Sequence, residues 1–198
     1  MPLPPSGPRE ELHLRRIEMR GYRRADGLYE VDGRVNDSKP YAFVPSTGGS
    51  MRQPGDFIHD MWVRLVVDDQ FYVHDVIAVS DSTPHPYCRE AAPTLKLMTG
   101  VRIAGGWTRE VKKRLGGTAS CTHLMEILIP MGTVVYQTLS KVRRERDNHD
   151  AMEGPPKKIG SCFAYASDSE VVLARWPKHY TGADGTTQAR VIPIVDES

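Results

Sequence analysis

Two of the three cysteines, Cys88 and Cys121, stand where the pattern starts helices, and His123 follows Cys121 by two residues. A cysteine in a helix's first turn meets free amide protons and the positive end of the helix dipole, which favour a thiolate. Metal binding and nucleophilic attack both need that form. A Cys-x-His pair supplies only two donors, fewer than a zinc site uses. Cys88, Cys121 and His123 therefore make the expected metal set, for zinc or iron, only if His59, His85, Asp60 or Cys162 joins them. The other chemistry is acid–base work with no cofactor. His59, Asp60, His123, Tyr22 and Arg20 are its candidates, grouped in a pocket between sheet and helices. A histidine titrates near neutral pH, and a carboxylate or phenol in an apolar pocket can be tuned there. Against both stand the ordinary readings: a buried cysteine is a small hydrophobe, and a histidine ending an apolar row is a hydrogen-bonded core residue.

Other chemistries find no pattern. The chain has no G-x-S-x-G elbow, phosphate loop or dinucleotide fingerprint. Its net charge of +1 creates no global field for nucleic acid or an anionic membrane. The densest basic cluster, Arg15, Arg16, Arg20, Arg23 and Arg24, lacks interleaved aromatics and reads as a solvated strand face rather than an anion site. Three scattered cysteines are no disulfide framework and point to reduced thiols in a cytoplasm. The N-terminus MPLPPSGPREE has no apolar signal core, and no apolar run approaches the ~20 residues of a membrane span. A homo-oligomer stays compatible with this composition.

The elements that must position these residues come next. Residues 1–10 are proline-rich and expected to be disordered, and 12–24 to form an edge strand. Tyr29, Val31 and Val35 alternate with Glu30, Asp32 and Arg34, the mark of a half-buried strand. Residues 57–82 read as two strands around an Asp68–Asp69–Gln70 turn. On the first of them His59, Met61, Val63, Leu65 and Val67 share the face turned to the helices. Three helices follow: 88–98, a second capped by Thr108, and a third capped by Ser120 or Thr118. The third carries the apolar stripe Leu124, Ile127, Leu128, Met131, Val135 and Leu139, which is core. The expected fold is α+β, an antiparallel sheet of about four strands with three helices on one face, plus a C-terminal hairpin. The expected divisions are a core over 11–145, a linker over 146–158, a hairpin over 159–180 packed on the core, and a tail over 181–198. The pocket is expected to be lined by Met61, Trp62, Met98, Trp107 and Leu124.

With these pieces in order the chain resembles the family catalogued as domain of unknown function 2889. The resemblance rests on RRIEMRGYRRADGLYEVDGRVNDSKPY, IHDMWVRLVVD, PYC with LKLMTGVRIAGGW, ASCTHLMEIL and SCFAYASDSEVV. Family patterns have glycine before the C-T-H-L run, where this chain has Ser120. The layout is also similar to iron–sulfur scaffold proteins of the IscU/NifU type, although the chain lacks their third cysteine between sheet and first helix. The first resemblance implies a small cytoplasmic enzyme of aromatic catabolism. Its reaction would be a lyase cleavage of a carbon–carbon bond in a small lignin-derived aromatic compound, releasing an aldehyde such as formaldehyde. The base would be His59, Asp60 or His123. The alternative is a non-enzymatic metal carrier or iron–sulfur scaffold using Cys88, Cys121 and His123.

Overall fold

The computed structural model describes residues 3–46, 48–146 and 154–182, and the chain divides at Arg143/Arg144 into two compact units. The first unit is built on β1 (Leu14–Arg23), β2 (Tyr29–Ser38), β3 (Phe57–Val67) and β4 (Val73–Ser82). They pair antiparallel in the order β1-β2-β3-β4, a meander in which each strand lies beside its sequence neighbour.

Alternation sets which face carries the core. The buried row of β2 runs Tyr29, Val31, Val35 and Asp37, and that of β3 runs His59, Met61, Val63, Leu65 and Val67. The expected helix-facing row of β3 is thus the observed one. The β3–β4 turn is stabilised by Asp68, whose Oδ1 accepts the amides of Gln70 and Tyr72, both at 2.9 Å. Phe71 in this turn has φ +70°, and its ring is buried.

A run of 3₁₀ turns, Pro86–Met98, leads to α1 (Trp107–Leu115) and α2 (Thr122–Thr138), followed by α3 (Ser140–Arg146). Pro86 and Pro93 in the first run each lack an amide donor, which suits short turns better than an α-helix. In α1 the N-cap is Gly106, two residues before the expected Thr108 cap, in the left-handed region at φ +96°. The N-cap of α2 is Cys121 itself, with no side-chain capping bond. Neither expected cap serves: Thr118 lies in the 3₁₀ turn Gly117–Ala119, and Ser120 accepts a hydrogen bond from Thr94 Oγ1 at 2.6 Å.

The stripe Leu124, Ile127, Leu128, Met131, Val135 and Leu139 is fully buried against the sheet. Close approach is permitted by Gly33: a Cβ there would lie 2.8 Å from Ile127 Cγ2 and 3.1 Å from Met131 Sδ. The core is therefore closed where a pocket was expected. Met61, Met98 and Leu124 are fully buried packing residues, and Trp62 points to the opposite side of the sheet. Trp107 borders a different surface concavity with Ile103, Pro130 and Tyr136.

In the second unit the expected hairpin over 159–180 does not form. Residues Phe163–Tyr165 make a 3₁₀ turn and α4 spans Glu170–Arg175. Local chemistry favours the helix: Ser169 Oγ accepts the Val172 amide at 3.2 Å, Glu170 occupies the first turn and Arg175 the last. Of the expected linker (146–158) residues 147–153, and of the expected tail (181–198) residues 183–198, lie outside the described residues. Among the described residues no helix is long and apolar enough to cross a membrane.

Candidate active site

The site lies where the helix-facing rows of β1, β2 and β3 turn polar together. Arg15 pairs with Asp37 across β1–β2, and Asp37 with His59 across β2–β3. These three residues thus stand side by side on one face. Asp37 is 1% exposed, and a carboxylate at that depth needs partners. It has four. Arg15 Nε and Nη2 donate to Oδ1 and Oδ2 at 2.8 and 2.9 Å, the bidentate fork that suits a carboxylate. His13 Nε2 lies 3.2 Å from Oδ1, and His59 Nδ1 lies 2.9 Å from Oδ2.

The electrostatics follow from that list. Burial by itself would raise the Asp37 carboxyl, but the Arg15 guanidinium and the His59 N–H outweigh it and hold the group at about 2. Asp37 is therefore ionised at neutral pH and can only accept. It follows that His59 Nδ1 carries a proton and donates it to Asp37. Burial pushes the imidazolium of His59 below the usual histidine value, although Asp37 opposes the shift. A neutral ring with its proton on Nδ1 presents a bare lone pair at Nε2. That atom is buried and has no hydrogen-bond partner. A buried acceptor without a donor costs about 1–3 kcal/mol, so it is a feature that requires a reason.

His123, in the first turn of α2, comes down onto this ring, with centroids 3.8 Å apart and planes tilted by 34°. Its Nδ1 lies 3.9 Å from Cys121 Sγ. Burial works against ionising that thiol, but His123 and the amides of Leu124 and His123 prevail, so its pKa falls below the ordinary thiol value. Among the described residues, Asp37, His59 and His123 are the group whose ligand-capable atoms lie within 4.8 Å of one another.

The other expected site residues are placed elsewhere. Asp60 follows His59 and so faces the opposite side of the sheet, where its oxygens receive Arg34 Nε and Nη2, both at 2.7 Å. Arg34 in turn stacks over Trp62 at 4.7 Å. Arg20 and Tyr22 share that far face, paired in register with Asp32 and Glu30, and both are exposed. Arg20 is in an ion pair with Glu18. None of the three reaches the His59 side of the sheet, because a two-residue period separates the faces. Cys88 is half-buried in the 3₁₀ run, and the expected set Cys88, Cys121 and His123 does not converge within 4.8 Å. Cys162 is exposed and belongs to the second unit.

Asp60→Asn is accordingly expected to weaken the Arg34 fork and lower stability by about 1–3 kcal/mol. The Nδ1 proton resonance of His59 should stay in place. Urea denaturation and NMR of the histidine ring protons would check both, and a shifted His59 signal would contradict the separation of faces.

Asp37, Arg15 and His13 were not among the expected site residues. Extending the β2 alternation from Tyr29 through Val35 places Asp37 in the inward row, a buried charge that had to have a partner.

Fold and site together define an α+β protein whose antiparallel meander carries a preset carboxylate–histidine pair under the first turn of its longest helix. The chain belongs to the family described as protein of unknown function (DUF2889), whose model matches residues 13–137. That span holds every member of the cluster. No curated protein and no solved structure matches the chain.

Proposed function

We propose that the protein is a carbon–carbon lyase acting on a small hydroxylated aromatic compound of lignin type and releasing an aldehyde such as formaldehyde. One observation carries the reading: the buried, unpartnered Nε2 of His59, whose lone pair is fixed by the Asp37 hydrogen bond on the other side of the ring. Such a lone pair draws the proton from a substrate hydroxyl, either itself or through a cation held at that atom. As the proton leaves, the C–O bond becomes a carbonyl and the adjacent carbon–carbon bond breaks. The electron pair of that bond goes to the departing fragment, which forms a new double bond with loss of an aryloxide or is reprotonated. Arg15 and Asp37 keep the imidazole oriented, and partly exposed His13, Arg15 and His123 form the side from which a substrate approaches.

The test is incubation of the purified protein with a panel of hydroxylated aromatic dimers, phenylcoumarans included, followed by an aldehyde assay. His59→Ala is expected to lower aldehyde release by about 10²–10⁴-fold. Asp60→Asn and Tyr22→Phe, on the far face, are expected to stay near the parent rate. No aldehyde from any member of a broad panel overturns the proposal.

A further inference from the structure

The face of the sheet turned away from α2 carries more apolar surface than a solvated strand face needs. Trp62 and Val79 are register partners across β3–β4, and Ile77 stands two residues along, opposite Arg64. Trp62, Ile77 and Val79 are 38, 44 and 48% exposed. With Asp32 and Arg64 they line a shallow depression of about 220 Å³. Contiguous apolar surface rimmed by charge marks a contact surface. The rim charges are matched within the chain. Arg64 Nε and Nη2 donate to the two oxygens of Asp32, both at 2.7 Å, and Arg34 forks onto Asp60 in the same way. Both pairs lie across β2 and β3. A face of closed ion pairs attracts neither a polyanion nor a polycation, and it suits a partner whose charges alternate in the same way.

We propose that this face is the interface of a homodimer, in which a second copy of the chain packs the same face onto it about a two-fold axis parallel to the strands, between β2 and β3. The register makes the face complementary to itself about that axis. β2 lies over the partner's β3 at equal height, so Asp32 meets the partner's Arg64, and Arg64 meets the partner's Asp32. Each Arg64–Asp32 pair is a dipole lying across the strands. The two-fold reverses its copy, and the four charges close into a ring of alternating sign. Two residues along, Arg34, already 4.7 Å over its own Trp62, meets the partner's Trp62, which places its guanidinium between two indoles. β1 lies over the partner's β4, where the aliphatic stem of Arg20 covers the partner's Ile77. An axis perpendicular to the strands through the Trp62 row would instead set Arg16 against the partner's Arg20, a like-charge contact. The area is sufficient. Four strands about 4.8 Å apart, each of about ten residues at about 3.4 Å, make a face of about 650 Å². Two such faces bury about 1,300 Å², the lower end of the range for specific complexes, which corresponds to micromolar association. The His59 side of the sheet is left open, so the dimer is independent of the lyase reading.

The test is sedimentation velocity of the full chain over about 1–100 µM, read against the 22.2 kDa of one chain. The parent is expected to reach twice that mass within the range. Val79→Lys sets a charge at an exposed position in the middle of the interface, and it is expected to weaken the dimer at least about tenfold while circular dichroism shows the fold unchanged. Asp32→Arg and Arg64→Asp each break the pair within the chain and set like charges opposite each other across the interface, so each alone is expected to be monomeric. Mixed together they restore both contacts between the chains but neither pair within a chain. Native mass spectrometry, which separates the two variants by mass, is expected to show the heterodimer. A parent that stays monomeric at about 100 µM overturns the proposal, and so does a dimer that folded Val79→Lys leaves unchanged. Folded Asp32→Arg and Arg64→Asp that give no heterodimer on mixing overturn the axis, and the proposed interface with it.

Discussion

Replacing Asp37 by asparagine should lower the stability of the first unit by about 2–4 kcal/mol at pH 7. The carboxylate is 1% exposed and holds two arginine nitrogens and two imidazoles, so its loss leaves several donors short of an anion at once. The figure sits toward the lower part of the range for broken buried pairs because the Arg15 side chain is 36% exposed, and water can replace part of what it loses. The same residue sets an acid limit. Its carboxyl lies at about 2 in the folded protein, against an ordinary value of 3.8. A group whose pKa is depressed by folding contributes stability that is complete above the unfolded value and is lost as the pH falls through the folded one. For Asp37 the window runs from about pH 4 to about pH 2. The full linkage amounts to about 2 kcal/mol before solvent screening at Arg15 is allowed for. Urea midpoints at pH 7 and pH 3 for parent and Asp37→Asn would show the gap narrowing in acid. A constant gap across that window would mean that the ion pair is not the source of the effect.

Trp107→Ala should be at least as damaging, at about 3–5 kcal/mol, the usual cost of emptying a buried aromatic position. Trp107 opens α1 and is 7% exposed. Its ring lies flat enough on α2 that a Cβ on Gly132 would come within 2.7 Å of Cδ1. Its indole N–H is shared between the carbonyls of Leu128 and Ile129, at 3.2 and 3.1 Å. These carbonyls lie beside Pro130, where the helix ladder already lacks one donor. Two substitutions separate the parts. Trp107→Phe keeps most of the ring and loses the shared hydrogen bond, for about 1 kcal/mol. Trp107→Ala loses both and leaves the α1–α2 contact unfilled. Chemical denaturation of the two variants gives the comparison. Equal losses would show that the hydrogen bond and not the packing governs the junction.

Much of the architecture was legible because period and burial are local properties. The row His59, Met61, Val63, Leu65 and Val67 and the stripe from Leu124 to Leu139 each declare one apolar face, and each buries that face in the structure. Apolar composition was a poorer guide to cavities: Met61, Met98 and Leu124 read equally well as pocket lining or as core, and interdigitation with α2 made them core. The second unit misled for the opposite reason. The continuous apolar run Val171–Ala174 in EVVLARW suits a short strand, but Ser169 and Glu170 form a helix start, and a six-residue element is decided by such caps.

At the site, the sequence by itself determined that His59 faces the helices and that Cys121 and His123 stand at the start of the longest one. Strand alternation also turns Asp60 away from His59, and the same two-residue period sends Arg20 and Tyr22 outward and Asp37 inward. Only the tertiary structure decided the rest. The register of β1 on β2 on β3 sets Arg15, Asp37 and His59 abreast, and the angle at which α2 crosses the sheet lays His123 on His59. Those are contacts between residues 22 to 64 positions apart. No spacing rule within one element encodes them, because they depend on how separate elements pack, and packing is settled by the whole buried surface at once.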